Sequence, residues 1–113
     1  MTENEELVPY VKNTMKTMLS KYWFEPNDAQ TRSRIKEDID RFLSDIGHAG
    51  RLYRWEVVCD ETNNTSMTID KNEVNIDVYL QPTMAWNVIP IKVKMSGGEF
   101  IDIEAEQKTE EEN

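Results

Sequence analysis

The sequence predicts an α+β fold: two N-terminal helices packed on one face of a small, mainly antiparallel sheet of three or four strands. Three observations predict it. Apolar residues recur at three- and four-residue spacing through residues 5–46, the period drops to two after Gly50, and the strands follow the helices as a block. A chain of 113 residues is expected to form one domain with a modest core. Residues 1–104 should make that domain and 105–113 an acidic, flexible tail.

The first helix is expected over about 5–22, where Leu7, Val11, Met15, Met18, Leu19 and Tyr22 fall on one face. Pro9 is read as a first-turn residue, where its missing N–H costs nothing. Pro26 disfavours helical geometry at Glu25 and ends the helix. A second helix is expected over about 28–46, capped by Asn27 or Asp28, with Gln30 making a capping box with Asn27. Its buried stripe is Ile35, Ile39, Phe42, Leu43 and Ile46. Gly47 is the expected stop and Gly50 a second break. Arg34 with Asp38 and Glu37 with Arg41 stand at i,i+4, contributing roughly 0.2–0.5 kcal/mol each.

Three strands follow, at about 52–59, 73–81 and 87–95, with a short fourth at 100–104. In the first, Tyr53, Trp55, Val57 and Cys59 alternate with Arg54, Glu56 and Val58. In the second, Val74, Ile76, Val78 and Leu80 alternate with polar positions, and Pro82 belongs at a strand end. In the third, Ile89, Ile91, Val93 and Met95 share a face opposite Val88, Lys92 and Lys94. Gly97-Gly98 is a turn or hinge. The run 60–72 between the first two strands is polar and reads as a loop.

Charge and composition exclude several functions. The net charge of −9 resides at the ends: residues 1–6 hold three Glu and no base, and residues 99–113 hold seven acids against Lys108, while residues 7–98 balance 12 acids with 12 bases. Acidic ends suit nucleic acid poorly, because phosphate contacts need clustered Lys and Arg. No apolar run reaches the ~20 residues of a membrane span. The acidic first ten residues do not form a signal peptide, so the chain is expected to be soluble and cytoplasmic at synthesis. A single cysteine, Cys59, excludes an internal disulfide. His48, the only histidine, lies among glycines at a helix end and reads as structural. Asp60, Asn64, Asp70 and Asn72 carry oxygen ligands but lack the spacing of a calcium loop. No catalytic site, metal or cofactor is expected.

The sequence does present an edge problem. A sheet this small has exposed edges, and residues 87–95 with the piece beyond Gly97-Gly98 can pair at home or add to a neighbour's sheet. Composition alone favours pairing at home.

Several segments in order resemble one family. They are Trp23-Phe24-Glu25-Pro26-Asn27-Asp28-Ala29-Gln30-Thr31-Arg32, Ile39-Asp40-Arg41-Phe42-Leu43 and Gly50-Arg51-Leu52-Tyr53, then Val57-Val58-Cys59-Asp60-Glu61-Thr62-Asn63-Asn64-Thr65 with Ile69-Asp70-Lys71-Asn72-Glu73, and Asp77-Val78-Tyr79-Leu80-Gln81-Pro82-Thr83. Together they resemble the C-terminal domain of the contractile tail sheath protein of bacteriophages and related injection machines.

The resemblance implies a non-enzymatic subunit that stacks in hexameric rings around a tail tube. It implies partners among its own copies, other sheath subunits, the tube protein, and baseplate or terminator proteins, with neither nucleic acid nor membrane. It implies assembly in the host bacterial cytoplasm and residence in the virion tail. Family-motif positions with a structural role are Glu25, Pro26, Asn27, Asp28, Thr31, Arg32, Cys59, Asp60, Asn63, Asn64, Thr65, Asp70, Asn72, Pro82 and Thr83. The implied C-terminal linking strand would use Asn87, Val88, Ile89, Ile91, Val93, Met95, Phe100, Ile101 and Ile103, which shifts the preference toward strand exchange between chains. Helix 28–46 and loop 60–72 would belong to the inner, tube-proximal domain.

Departures from the pattern are the short chain, the lack of an obvious N-terminal arm, and Met84 and Trp86 after Pro82-Thr83. A minimal sheath, a split-sheath piece, an end-ring (initiator or terminator) component and an excised domain all stay open. The rival reading is a small acidic adaptor or inhibitor binding a basic partner. A hydrolase using Asp60 or Asp70 is a third.

Overall fold

In the computed structural model of the protein, residues 3–83, 87–96 and 98–103 are described. Helix α1 (Glu3–Leu19) runs into a 3-10 turn (Ser20–Tyr22) and is followed by helix α2 (Ala29–His48). Then come β1 (Leu52–Val58), a short helix α3 (Ser66–Asp70), β2 (Glu73–Pro82), β3 (Ile89–Ser96) and β4 (Glu99–Ile103). The strands form one antiparallel sheet in the order β1-β2-β3-β4. This is the α+β architecture expected.

The core lies between the helices and one sheet face. Leu7, Val11, Met15 and Leu19 of α1 and Ile35, Ile39, Leu43 and Ile46 of α2 meet Val74, Ile76, Val78, Leu80, Ile91, Val93 and Met95 of the two central strands. The period-two alternation of β2 and β3 is thus the burial pattern itself. No described helix is long and apolar enough to cross a membrane.

Several local expectations are corrected. Helix α1 begins at Glu3, so Pro9 sits inside it and not in the first turn; there it removes an i→i−4 bond. Asp28 alone caps α2, its side chain accepting from the Thr31 N–H at 2.9 Å. The Asn27–Gln30 capping box does not form, because the Asn27 carboxamide is used elsewhere. Helix α2 runs through Gly47 to exposed His48, and the chain turns at Gly50, whose φ is 87°. Gly47 serves packing instead: a Cβ there would lie 2.5 Å from the Trp55 ring.

The surface ion pairs also differ. Arg34 pairs with Glu25 at 3.2 Å, and Asp38 takes Lys21 at 3.2 Å and Arg41 at 3.4 Å. Two of these three tie α2 to the segment before it, where the i,i+4 pattern had them within one helix. A register shift between Leu52 and Arg54 turns Tyr53 outward, 67% exposed, and leaves Leu52 in the core. A bulge of this kind inverts the alternation locally. The polar run 60–72 contains α3, capped by Thr65. Strands β3 and β4 start two residues and one residue from the expected boundaries. Residues 84–86, Glu104 and the tail 105–113 lie outside the described residues.

Candidate assembly interface

The sheet's two sides are built differently, and the difference starts with strand length. Strand β2 pairs with β1 from Pro82 to Asp77 only, while its pairing with β3 continues to Glu73. The β1-facing main chain of residues 73–76 is therefore without a strand. Unpaired peptide groups at such a place need partners.

Side chains supply them. The Asn64 Oδ1 accepts the Asn75 N–H at 2.8 Å and the Asn64 Nδ2 donates to the Asn75 carbonyl at 3.0 Å. Asn63 Nδ2 donates to the carbonyls of Val58 (2.9 Å) and Asn75 (3.3 Å) and to Asp77 Oδ2 (3.2 Å). Asn27 Nδ2 donates to the Glu73 carbonyl at 2.6 Å and to Asn64 Oδ1 at 3.1 Å. The Asn75 side chain returns a bond to the Asn63 carbonyl at 3.0 Å.

The loop sequence produces this placement. Past Val58 the chain turns at Asp60, whose carboxylate accepts from the Thr62 N–H and hydroxyl, while Asn63 Oδ1 accepts the Asp60 N–H. Those bonds hold the exposed Asp60 carboxyl below its ordinary pKa. The turn drives Asn63 and Asn64 back toward β2. Thr65 then caps α3, which ends at Asp70, and Asn72 at φ 60° leads into β2. Cys59 is a buried free thiol pushed up to about 12 by burial.

The turn between α1 and α2 contributes Asn27, fixed by its neighbours. Asp28 N–H bonds the Pro26 carbonyl at 3.1 Å, and Arg32 Nη1 donates to Asn27 Oδ1 at 2.6 Å. Arg32 is 9% exposed and Thr31 3%. Arg32 Nε has no hydrogen-bond partner. The motif residues Asn27, Arg32, Asn63 and Asn64 thus meet in one buried cluster. Thr83 is separate, donating its hydroxyl to the Gly50 carbonyl at 2.8 Å and its N–H to that of Arg51 at 3.1 Å, beside buried Pro82.

Among the described residues the β4 side has no such closure. Of the residues expected to link subunits, Asn87 and Val88 are exposed ahead of β3. Ile89, Ile91, Val93 and Met95 are buried in an interior strand, paired to β2 on one side and β4 on the other. Phe100 packs against the core, whereas Ile101 is 41% exposed opposite Lys94. Ile103 is the register partner of Lys92, and Asp102 that of Val93. The register of β4 therefore sets Ile101 and Ile103 against the lysines of β3 and Asp102 against a core position.

Asn75 is the participant that sequence reasoning passed over. It reads as one polar position in an alternating strand, and only the shortness of β1 makes its main chain need a partner. Among the described residues no group of three His, Cys, Asp or Glu is placed to hold a metal ion.

Comparison with known proteins adds the following. The family model described as phage tail sheath C-terminal domain matches residues 6–96. The chain is 44% identical over 68 residues to the tail sheath protein of Vibrio phage KVP40, covering 60% of this chain and 10% of that protein. It is 36% identical over 97 residues to the tail sheath protein of Enterobacteria phage T4, covering 80% and 15%. It is 30% identical over 90 residues to the tail sheath protein of Salmonella phage ViI, covering 77% and 14%. The matches thus span between 10% and 15% of the length of these relatives. No solved structure gives a significant match.

Proposed function

We propose, because the chain belongs to the phage tail sheath C-terminal domain family, that it is a non-enzymatic structural unit of a contractile tail sheath, joined to its neighbours by strands shared on the β4 side. The observation that carries the second half is the phase of β4. Ile101 stands 41% exposed opposite Lys94, and the register sets Ile103 against Lys92 and Asp102 against buried Val93. Strand register is specified by matching apolar faces, and in this register Phe100, opposite Met95, is the described β4 residue that sets an apolar side chain against the core. A strand so mismatched has more to gain in another chain's sheet than an in-phase strand would.

In this reading residues 87–103 form the linking element. Strand β3 supplies the ladder that receives a neighbour's strand, and β4, after Gly98 with its φ of 83°, is the strand exchanged. Main-chain hydrogen bonds provide affinity and alternate side chains provide register. Partners are further copies and other sheath subunits in hexameric rings, and the tube protein they surround, with α2 and residues 60–72 in the inner, tube-proximal domain. Baseplate or terminator proteins would meet the end rings. The protein resides in the virion tail after assembly in the host cytoplasm.

The test is assembly. Purified chain, alone and mixed with tube and sheath chains, is followed by sedimentation and electron microscopy. Ordered oligomers that vanish when residues 98–103 are removed are expected. A chain that stays monomeric under all these conditions contradicts the proposal.

A further inference from the structure

We propose that Asn27 and Asn64, held in place by Asn63, decide which side of the sheet accepts a second copy of this chain. Their carboxamides plug the β1-facing edge of β2, so that strand addition is confined to the β4 side. This rests on the reading that chains share strands.

In an antiparallel ladder, a paired residue both accepts an N–H and donates to a carbonyl of the residue opposite. Asn64 does this with its side chain, at 2.8 and 3.0 Å, to the main chain of Asn75. It occupies the bonds that an incoming strand residue would make. Asn27 does the same for the Glu73 carbonyl, two residues along on the same side of β2. The plug is rigid: Asn64 is 2% and Asn27 7% exposed, and Asn64 Nδ2 is further anchored to the Asp60 carbonyl at 3.1 Å.

The rest of that side is blunted by other means. Strand β1 carries a bulge at Tyr53 and exposed Arg54 and Glu56, and bulges and charge are the usual protections of an edge. The plug thus fills the end of β2 that β1 does not reach, and bulge and charge blunt β1 itself. On β4 the described edge residues include exposed Ile101. The sheet therefore has a closed side and a receptive side, and a lattice built through it has one direction of growth.

The experiment titrates a fluorescent peptide carrying residues 98–104 against the full chain, with stoichiometry read by sedimentation. Hydrogen exchange at the Asn75 amide is read in parallel. Wild-type chain is expected to bind one peptide, and Asn64→Ala two, with Asn75 exchange at least tenfold faster. Should Asn64→Ala fail to fold, Asn64→Asp keeps the acceptor for the Asn75 N–H and removes the Nδ2 bonds to the Asp60 carbonyl, Asn63 Oδ1 and the Asn75 carbonyl; it is expected to gain the second, weaker site. A folded variant with a fast-exchanging Asn75 amide that still binds one peptide overturns the inference, as does wild-type chain binding two. Binding by neither also overturns it. A wild type that binds none beside a variant that binds one supports the plug and counts against strand sharing at β4.

Discussion

The Asn64 carboxamide and the Asn75 main chain exchange two hydrogen bonds, of 2.8 and 3.0 Å, in a buried site where β2 has outrun β1. A side chain thereby stands in for a strand. Replacing Asn64 by Ala leaves the Asn75 N–H without its acceptor and the Asn75 carbonyl with only the 3.3 Å bond from Asn63, and a buried unsatisfied group costs about 1–3 kcal/mol. We expect Asn64→Ala to destabilise the chain by about 1–3 kcal/mol, read as a fall in urea midpoint with an unchanged slope.

Asn27 and Arg32 should behave unequally although they touch. Asn27→Ala takes the side-chain donor from the Glu73 carbonyl and leaves Arg32 Nη1 only its 3.5 Å bond to the Asn27 carbonyl, and each buried group left unsatisfied costs about 1–3 kcal/mol. Arg32→Met removes a buried cation whose Nε is already without a partner and leaves one group, Asn27 Oδ1, without its donor, a smaller loss of about 1–3 kcal/mol. The double variant Asn27→Ala/Arg32→Met should recover part of the loss from Asn27→Ala, which a double-mutant cycle measures.

Gly47 sets helix propensity against packing. Alanine is better than glycine in a helix interior by about 1 kcal/mol. Its Cβ would meet Trp55 ring atoms at 2.5 and 2.7 Å, and overpacking costs about 1–3 kcal/mol. Trp55 is tethered by its indole N–H to Asp40 at 3.0 Å, so the ring yields little. The expected sign for Gly47→Ala is destabilising, and thermal denaturation of the variant checks it.

Tyr22 and Asp38 give a pH signature. Burial and the 2.6 Å bond to the Asp38 carboxylate push the Tyr22 phenol up to about 12. Its neutral form is favoured by folding, so this contribution is complete below pH about 10 and fades as pH rises toward 12. Burial raises the Asp38 pKa, but bonds from Tyr22 and Lys21 outweigh it and hold the carboxyl below 3.8. That stability is present above the unfolded pKa and lost as pH falls through the lower folded one. Tyr22→Phe should cost about 1–2 kcal/mol at pH 7 and flatten both the acid and alkaline limbs of the stability profile.

The layers of the fold were legible because apolar spacing is the burial pattern. Ile35, Ile39, Leu43 and Ile46 on α2, and the alternating residues of β2 and β3, lie where periodicity puts them. What escaped depended on contacts distant in sequence. Gly47 reads as a helix stop until Trp55 is seen to need its space. Asn27 reads as a cap until β2 is found to lack a partner at Glu73. Tyr53 reads as core until the bulge turns it out. The motif residues of the site were recognisable as a set, but a sequence does not record which main-chain groups a neighbouring strand fails to reach.

The most direct test of strand sharing is disulfide cross-linking in assembled particles. One population carries Ile101→Cys and the other Lys94→Cys, its register partner on β3. Cys59 stays out of the reaction, since it is buried and its thiol is pushed up to about 12. Covalent dimers joining the two populations are the predicted result. Particles that give no mixed dimer, while a Lys94→Cys/Ile101→Cys chain closes only on itself, would contradict the account.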